Sequence, residues 1–468
     1  MIAMTLAEVA QAVQGTVVGT APDTLVRGPA FVDSRNVEPA GLFVAVAGDH
    51  VDGHGYAEQA VAAGAAAALV QRDVGVPSVV VADTVEALGL LAHSMLSRLP
   101  SIQVIGITGS QGKTSTKDIV AQLLASSGQT IAPAGSLNNE IGVPLTALRA
   151  TASTRFLVVE MGARSRGHIQ YLASLVRPTI GAVLNVGVAH IGEFGSKQAI
   201  AAAKGELVEV LPASGVAVLN ADDQHVRAMA ARTAASVVTF GKAPGADVRV
   251  AEIELDEDSR LRCTLVVGGV SRALTVPLIG EHHASNIAAA VAVAISCGVP
   301  FDAVPAILSG LQNMSRWRME MSTTSDGLTI VNDAYNANPD SMRAALRTLA
   351  AIGHSRGPTC RTFAVLGEMR ELGDHSRDAH DAIGRLAVRL GIHQLVVVGE
   401  DARAIHLGAC LEGSWDAESV FVPDVESAVA FVRRNAVGSD VVLVKASRAA
   451  GLERVALALL AGDVEVSA

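Results

Sequence analysis

A glycine-rich segment with adjacent lysine and threonine, GSQGKT at 109–114, has the residue types and spacing of a phosphate-binding loop. The apolar run 102–107 before it predicts a strand, and the run 114–125 after it predicts a helix. Backbone N–H groups at such a helix start bind phosphates, the lysine neutralises charge, and the threonine hydroxyl can reach Mg2+. Because Ile107 replaces the first glycine of the long pattern, we expect a shorter subtype rather than a Gly-Lys surface turn. The residues predicted to contact a nucleotide are Thr108, Gly109, Ser110, Gln111, Gly112, Lys113, Thr114 and Ser115.

Two polar residues follow later apolar runs of the same region. Glu160 ends the run 156–160, and His190 lies just beyond the run 180–185. Parallel strands bring their carboxyl ends to one edge of a sheet, so both residues are expected beside the phosphate loop. Glu160, together with Thr114, suits Mg2+, although a strand-end carboxylate can simply be solvated. His190 is either a second metal ligand or orienting group, or a structural histidine.

Lys204 lies on a predicted helix of small residues, AAAKGE at 201–206. An ordinary surface lysine extends its ammonium into water. A lysine held near a metal could instead react, in its neutral form, with CO2 and become an anionic carbamate. The residue pattern leaves both interpretations open.

Asparagine and aspartate are dense in the segment 332–341, which follows a predicted strand. A structural loop of this kind usually needs only one or two such residues for its turns. The surplus, together with Tyr335, Asn336 and Asn338, indicates ligand recognition.

Three polar residues precede or begin the predicted helix 283–297. Asn286 is either part of a helix cap or a nucleotide contact. The neighbouring His282 and His283 do not predict zinc, because no further ligands stand at zinc-site spacing.

Composition restricts the class of protein. A chain of 468 residues is too long for one core, so about three domains are expected. With 36 Lys and Arg against 46 Asp and Glu, the net charge of −10 predicts neither a nucleic-acid nor an anionic-membrane partner. The four cysteines are scattered and the first residues do not resemble a signal peptide, so we expect a cytoplasmic protein with free thiols.

The strand and helix patterns predict an α/β fold with three domains, 1–98, 99–319 and 320–468. In the central domain, alternating apolar runs and helices predict a doubly wound, mostly parallel sheet, followed by an antiparallel flap at 248–277. The C-terminal domain is expected to be Rossmann-like and the N-terminal domain to be a small α/β unit. Two polar turns of the N-terminal domain contain Ser34, Arg35, Asp52 and His54, and ordinary turn chemistry accounts for their spacing.

Taken in order, these motifs resemble the Mur ligase family of peptidoglycan-building enzymes. The short loop at 108–114, the Asn-rich segment GSLNNEIGVP at 135–144 and the segment KGE at 204–206 match its pattern. The segments YNANPDSM at 335–342 and LGEMRELG at 366–373 resemble the members that add a dipeptide. The resemblance spans essentially the whole chain. It departs at His283, where the family often has asparagine, and at Ala446, where glycine is frequent.

The resemblance implies an ATP-dependent ligase that joins D-alanyl-D-alanine to UDP-N-acetylmuramoyl-tripeptide through an acyl phosphate. It implies ATP and two Mg2+ ions as cofactors, a carbamylated Lys204, and a monomer without nucleic-acid or membrane partners. The catalytic residues that it implies are Lys113, Glu160, His190 and Lys204, with Thr114, Glu160 and His190 as metal ligands. Further nucleotide contacts are Asn286, Arg318 and Asp333. Substrate contacts are Ser34, Arg35, Asp52, His54, Asn138, Asn139, Tyr335, Asn336 and Asn338.

Two other classes remain open at this point. A folylpolyglutamate-synthase-like ligase shares the loop and layout but does not need the N-terminal domain. A nucleotide-dependent switch or kinase also uses a phosphate-binding loop. That class of protein does not account for the antiparallel flap, the third domain or the polar segment 332–341.

Overall fold

The computed structural model describes residues 1–48, 51–188, 191–256, 260–312, 315–413 and 418–462. Within these ranges the chain is a mixed α/β protein whose strands form four sheets. Among the described helices, none is long and apolar enough to cross a bilayer.

The N-terminal unit contains a five-stranded sheet with the order β2-β7-β6-β5-β4 and a two-stranded pair β1-β3. Its elements are β1 (Met4–Thr5), α1 (Leu6–Val13), β2 (Thr16–Val18), β3 (Leu25–Val26), β4 (Ala30–Phe31), β5 (Leu42–Val44), α2 (Ala57–Ala62), β6 (Ala67–Val70), β7 (Ser78–Val80) and α3 (Thr84–Ser97). The strands β4 to β7 are parallel. β1, β2 and β3 were not predicted, because strands this short leave no periodic pattern in the sequence.

The central unit contains a nine-stranded sheet with the order β16-β15-β14-β13-β12-β11-β8-β10-β9. Its elements are β8 (Gln103–Thr108), α4 (Lys113–Ala125), β9 (Thr130–Ile131), α5 (Gly142–Ala147), β10 (Phe156–Glu160), α6 (His168–Val176), β11 (Ile180–Val183), α7 (Ile191–Phe194), α8 (Lys197–Glu209), β12 (Val216–Asn220), α9 (Gln224–Arg227), β13 (Ser236–Gly241), β14 (Val248–Leu255), β15 (Arg260–Val267), β16 (Val270–Ile279), α10 (His283–Ser296) and α11 (Val304–Ser309). The predicted antiparallel flap is β14 to β16, and the parallel pairing of β13 with β14 makes it a continuation of the main sheet.

Both faces of the central sheet are buried, which explains the continuous apolar runs of its strands. Phe156 and Val158 of β10 pack with α4 and α10 on one face. Leu157 and Val159 pack with α3, α6 and α8 on the other face. Since α3 belongs to the N-terminal unit, the two units share one apolar cluster rather than meeting only through a linker.

The C-terminal unit contains a six-stranded sheet with the order β17-β18-β22-β19-β20-β21, parallel except for the edge strand β17. Its elements are β17 (Glu320–Thr323), β18 (Thr329–Asn332), α12 (Pro339–Arg356), β19 (Thr362–Leu366), α13 (Ser376–Arg389), β20 (Gln394–Val398), α14 (Arg403–Glu412), β21 (Ser419–Val422), α15 (Val425–Asn435), β22 (Val441–Lys445) and α16 (Glu453–Leu460). The α/β class, the parallel central sheet and the Rossmann-like third layer were predicted from the sequence, and the structure confirms them.

Candidate active site

The carboxyl ends of the central strands and the loops of the C-terminal unit face one cavity of about 670 Å3. The phosphate loop, the Asn-rich segment after β9 and the loop after β18 all contribute to its wall. Cations also line it, among them Lys113, Arg318 and Lys445. A cavity of this size with convergent cations suits an anionic ligand.

The phosphate loop has the geometry of an anion-binding site. Gly112 has φ of 80°, a conformation that L side chains rarely adopt, and a Cβ at this position would collide with Asn286 Oδ1. The helix α4 begins at Lys113 without a side-chain cap, so the backbone N–H groups of its first turn have no intrahelical acceptor. Lys113 Nζ donates to Gly109 O at 2.8 Å, inside the loop. A phosphate could take up these donors together.

Asn185 holds the phosphate loop from the neighbouring strand. Its Oδ1 accepts the N–H of Gln111 at 3.0 Å, and its Nδ2 donates to Gln111 O at 3.2 Å. Ser110 Oγ accepts the N–H of Gly187 at 2.9 Å. The loop conformation is therefore set by residues more than 70 positions further along the chain.

Glu160 is buried at the end of β10. Its Oε2 accepts from Ser136 Oγ at 3.1 Å, and Ser136 Oγ accepts from Asn138 Nδ2 at 2.9 Å. Its Oε1 is buried and has no hydrogen-bond partner among the residues that the structure describes. A buried, unpaired carboxylate oxygen is costly unless a cation or donor meets it, so this residue fits a metal ligand.

The other two predicted metal ligands are Thr114 and His190. Thr114 Oγ1 faces the cavity and accepts from Arg318 Nη2 at 3.1 Å. His190 lies outside the described residues. Within the described ranges, no group of three or more His, Cys, Asp or Glu side chains could hold a metal by itself.

Lys204 is a buried lysine with a strongly perturbed pKa. Burial holds the pKa of Lys204 well below its usual value, and the nearby charge of Lys113 adds a smaller lowering. Its two neighbours in the KGE motif have structural roles. The Glu206 carboxylate accepts the N–H groups of Gly167 and Gln170 at the start of α6, at 2.6 and 3.1 Å. Gly205 leaves space for the side chain of Arg232, which donates to the backbone carbonyls of Ala201 and Ala202 in α8.

Arg318 and Asp333 occupy the junction of the central and C-terminal units. The Arg318 guanidinium stacks on the Tyr335 ring at 4.2 Å. Its neighbours Trp317 and Met319 have positive φ of 59° and 51°, which is uncommon for residues other than glycine. Asp333 Oδ1 accepts the Met319 N–H at 3.2 Å and so fixes this turn.

Lys445 is a cavity residue that the sequence-based predictions missed. It ends β22, is nearly fully buried, and its Nζ donates to Asp333 Oδ2 at 2.6 Å and to Asn336 O at 2.9 Å. Its position as the last residue of a buried parallel strand was a usable signal, the same one that identified Glu160.

Two of the predicted substrate contacts also have ordinary structural roles. Asn338 caps α12 in a reciprocal capping box with Ser341. Asn139 Oδ1 accepts the N–H of Gly142 at 2.9 Å at the start of α5. Asn338, Asn139, Asn138, Tyr335 and Asn336 nevertheless line the cavity together, as do Asn286 and Ser115.

The four predicted contacts of the N-terminal unit are not brought into this cavity. His54 is buried, with Nδ1 at 2.6 Å from Asp52 and Nε2 accepting the Gln71 N–H at 2.8 Å. Arg35 is exposed and paired with Asp33, which together with Tyr56 raises the pKa of Arg35.

The central and C-terminal units touch directly beside the cavity. Asp340 Oδ2 accepts the N–H of Val188 at 3.2 Å. Gly192 packs against Gly373 so closely that a Cβ at either position would crowd the other backbone. The central and C-terminal units are therefore in direct contact at these two points.

Comparisons with known proteins agree with this architecture. Three family models match consecutive parts of the chain: the Mur ligase family catalytic domain at 31–94, the Mur ligase middle domain at 107–294, and the Mur ligase glutamate ligase domain at 317–448. The chain is a ligase-type enzyme and belongs to the Mur ligase family.

Three similar members of that family share one name. The chain is 46% identical to the UDP-N-acetylmuramoyl-tripeptide--D-alanyl-D-alanine ligases of Mycobacterium bovis and Mycobacterium tuberculosis, over 99% of both chains. It is 34% identical to the enzyme of that description from Escherichia coli, covering 98% of this chain and 99% of the relative.

Solved structures of similar proteins extend the agreement to the fold. MurF from Acinetobacter baumannii superimposes with a TM-score of 0.85 at 31% identity, covering 98% of this chain and 99% of that one. MurF ligase from Thermotoga maritima in complex with ADP gives a TM-score of 0.78 at 28% identity, with 92% and 96% covered. The resemblance inferred from the sequence motifs is therefore confirmed.

Proposed function

We propose that this protein joins D-alanyl-D-alanine to UDP-N-acetylmuramoyl-tripeptide at the expense of ATP, giving the UDP-N-acetylmuramoyl-pentapeptide. One observation supports the proposal: a single cavity is lined by the phosphate loop of the central unit and by the segment 332–341 and Lys445 of the C-terminal unit. A ligation needs such an arrangement, because the phosphorylated acid and the incoming amine must meet in one place. The descriptions of the relatives support the choice of substrates.

The phosphate loop is the proposed ATP site. Lys113 and the N–H groups at the start of α4 would hold the phosphates, and Asn286, Arg318 and Asp333 would contact the rest of the nucleotide. The ADP bound to the similar enzyme from Thermotoga maritima supports nucleotide binding at such a fold.

Two Mg2+ ions and a modified lysine complete the proposed site. Thr114 and Glu160 would hold one ion, which fits the unpaired Glu160 Oε1, and His190 with carbamylated Lys204 would support the second. When bound, the ions neutralise the charge of the phosphate oxygens. The lowered pKa of Lys204 supports the carbamate, since only the neutral amine reacts with CO2.

The reaction then proceeds in two steps. An oxygen of the tripeptide carboxylate attacks the γ-phosphorus, the bond to the bridging oxygen of ADP breaks, and an acyl phosphate forms. The amine of D-alanyl-D-alanine attacks the acyl carbon, its excess proton is lost, and phosphate leaves as the C–O bond breaks. Lys113 and the loop N–H groups stabilise charge on the transferred phosphoryl group. The contacts between the central and C-terminal units would keep water from the acyl phosphate.

The three domains would divide the substrates. Domain 1–98 would bind the UDP end through Ser34, Arg35, Asp52 and His54, domain 99–319 would bind ATP, and domain 320–468 would present the dipeptide. Asn138 and Asn139, with Tyr335, Asn336 and Asn338, would contact the peptide parts. We further propose a monomer that works in the cytoplasm, where ATP is available, without nucleic-acid or membrane partners.

Substrate-dependent ADP release tests this function. ADP should form only when ATP, UDP-N-acetylmuramoyl-tripeptide and D-alanyl-D-alanine are all present. Equal turnover with a free diamino acid in place of the dipeptide would contradict the assignment within the family. Phosphate release without any amine acceptor would instead indicate a switch or kinase. Running both diaminopimelate- and lysine-containing tripeptides would identify the third residue of the natural substrate.

A further inference from the structure

The segment 161–167, which connects β10 to α6, contributes an arginine to the wall of the active-site cavity. Gly162 and Arg164 both line this wall. The Gly162 N–H donates to Asn138 O at 2.8 Å, which fixes the segment against the Asn-rich segment after β9. Because Arg164 follows the proposed metal ligand Glu160 by only four residues, the Cα atoms of the two lie at most about 14 Å apart. Arg164 therefore lies on the part of the wall next to the proposed metal site.

The side chain of Arg164 is available to a ligand. The residue is exposed, and only its backbone N–H is engaged, at 3.4 Å from His168 Nδ1. Within the described ranges its guanidinium makes no hydrogen bond or ion pair. The nearby Glu140 carboxylate lies against His168 instead, with Oε2 at 3.3 Å from Nε2. A cation on a cavity wall without a partner of its own suits an anionic group of a ligand.

Most other cations of the cavity wall already have a partner within the protein. They are Lys113, Lys242, Arg318, Arg370 and Lys445, which contact Gly109 O, Glu281, Thr114, Glu368 and Asp333 respectively. Arg347 resembles Arg164 in having no partner in the described part of the chain, but it belongs to α12 of the C-terminal unit. Its neighbour Thr348 lies against Gly280, which follows the antiparallel flap. Arg164 is thus the available cation on the central-unit side of the cavity.

The helix that follows Arg164 connects this part of the wall to the N-terminal unit. Further along α6, Ser174 O lies 3.0 Å from His93 Nδ1 of α3. The proposed function puts the UDP end of the first substrate at the N-terminal unit and its reacting carboxylate at the phosphate loop. The tripeptide between them therefore passes the start of α6. Since the dipeptide would approach from the C-terminal unit, the side chain of the third residue is left with the central-unit wall.

The two candidate third residues differ in charge at the far end of the side chain. Diaminopimelate ends in a carboxylate and an ammonium, whereas lysine ends in an ammonium alone, so the carboxylate is what can distinguish them. A guanidinium binds a carboxylate through two parallel hydrogen bonds and repels a lone ammonium. We propose that Arg164 binds the second carboxylate of a diaminopimelate residue and so selects the diaminopimelate-containing tripeptide over the lysine-containing one. This inference rests on the proposed function and names the tripeptide that it uses.

ADP release by the full-length protein, measured with both tripeptides, tests the inference. The wild-type kcat/KM for the diaminopimelate-containing tripeptide should exceed that for the lysine-containing one by about 10- to 100-fold, the range of a charge-assisted hydrogen-bonded pair. In Arg164→Gln, the first value should fall by about that factor while the second should not fall, so the preference disappears. The KM values for ATP and D-alanyl-D-alanine should stay unchanged. Arg164→Lys, which keeps the charge, should retain part of the preference.

Arg166→Gln is the matched control for these measurements. Arg166 is an exposed arginine of the same segment outside the cavity lining, so its variant should keep the wild-type preference. Equal wild-type kcat/KM values for the two tripeptides, or a preference for lysine, would overturn the inference. An unchanged preference in Arg164→Gln, or an equal loss with both tripeptides, would also overturn it. Absence of ADP release with either tripeptide would instead overturn the proposed function, and this inference with it.

Discussion

Lys445 Nζ lies 2.6 Å from Asp333 Oδ2, and these side chains are only 2% and 12% exposed. The pair joins the end of β22 to the loop after β18, and Lys445 also donates to the backbone of Asn336. Burial lowers the pKa of Lys445, while Asp333 opposes that shift. The ion pair therefore fixes the loop that carries Tyr335 and Asn336 on the cavity wall.

Removing one partner of this pair should be strongly destabilising. Lys445→Met leaves the Asp333 carboxylate buried without its cation, which typically costs about 3–5 kcal/mol. Urea unfolding should show this loss, together with weaker nucleotide binding. The double variant Lys445→Met, Asp333→Leu removes both charges and should recover much of the stability. Equal stability of Lys445→Met and wild type would contradict the role of the pair.

Glu160→Gln should remove the Mg2+ dependence of nucleotide binding. The variant keeps the acceptor for Ser136 Oγ and loses the negative charge, so Mg2+ should no longer add to the rise in Tm that ADP produces. Turnover should fall by about 100-fold or more, as for loss of a preorganised electrostatic group. Ser136→Ala, which removes the hydrogen bonds of Ser136 Oγ with Glu160 Oε2 and Asn138 Nδ2 but no charge, should keep the Mg2+ effect. A full Mg2+ effect in Glu160→Gln would exclude this residue as a ligand.

Lys204 should carry a carbamate at neutral pH. Since its pKa lies well below that of an ordinary lysine, the fraction of reactive neutral amine rises with pH at lower pH values than for exposed lysines. NMR with 13C-labelled bicarbonate should show a carbamate resonance that disappears in Lys204→Arg. Lys197→Arg, at an exposed position of the same helix, should retain it. A resonance that survives in Lys204→Arg would assign the carbamate to a different residue.

His283 should make the protein less stable in mild acid. Burial holds the pKa of His283 well below 6.5, and the neighbouring His282 adds a smaller lowering. Below pH 6.5 the folded state therefore keeps His283 neutral while the unfolded state binds a proton. Its contribution is complete above pH 6.5 and is lost as the pH falls below that value, by at most about 1.4 kcal/mol per pH unit. The free energy of unfolding of His283→Asn should therefore fall less steeply between pH 7 and 5. His375→Asn, at an exposed position, should follow the wild-type slope.

The local sequence determined most of the fold. The strand 156–160 was predicted at its observed bounds, because a strand buried on both faces has a continuous apolar sequence. The phosphate loop and the polar residues at strand ends followed from the same patterns. The edge strand β17 was missed, because a partly buried edge strand has no such run.

The tertiary structure alone decided how the candidate site is assembled. Asn185 against Gln111, Asp333 against Lys445 and Met369 against His380 are contacts between separate elements, and their partners are not encoded in any local periodicity. For the same reason the sequence did not distinguish Asn138, which donates to Ser136 beside Glu160, from Asn139, which accepts the N–H of Gly142 at the start of α5. Residue type and spacing determined what chemistry is available, whereas packing of the units determined which of those residues share a cavity.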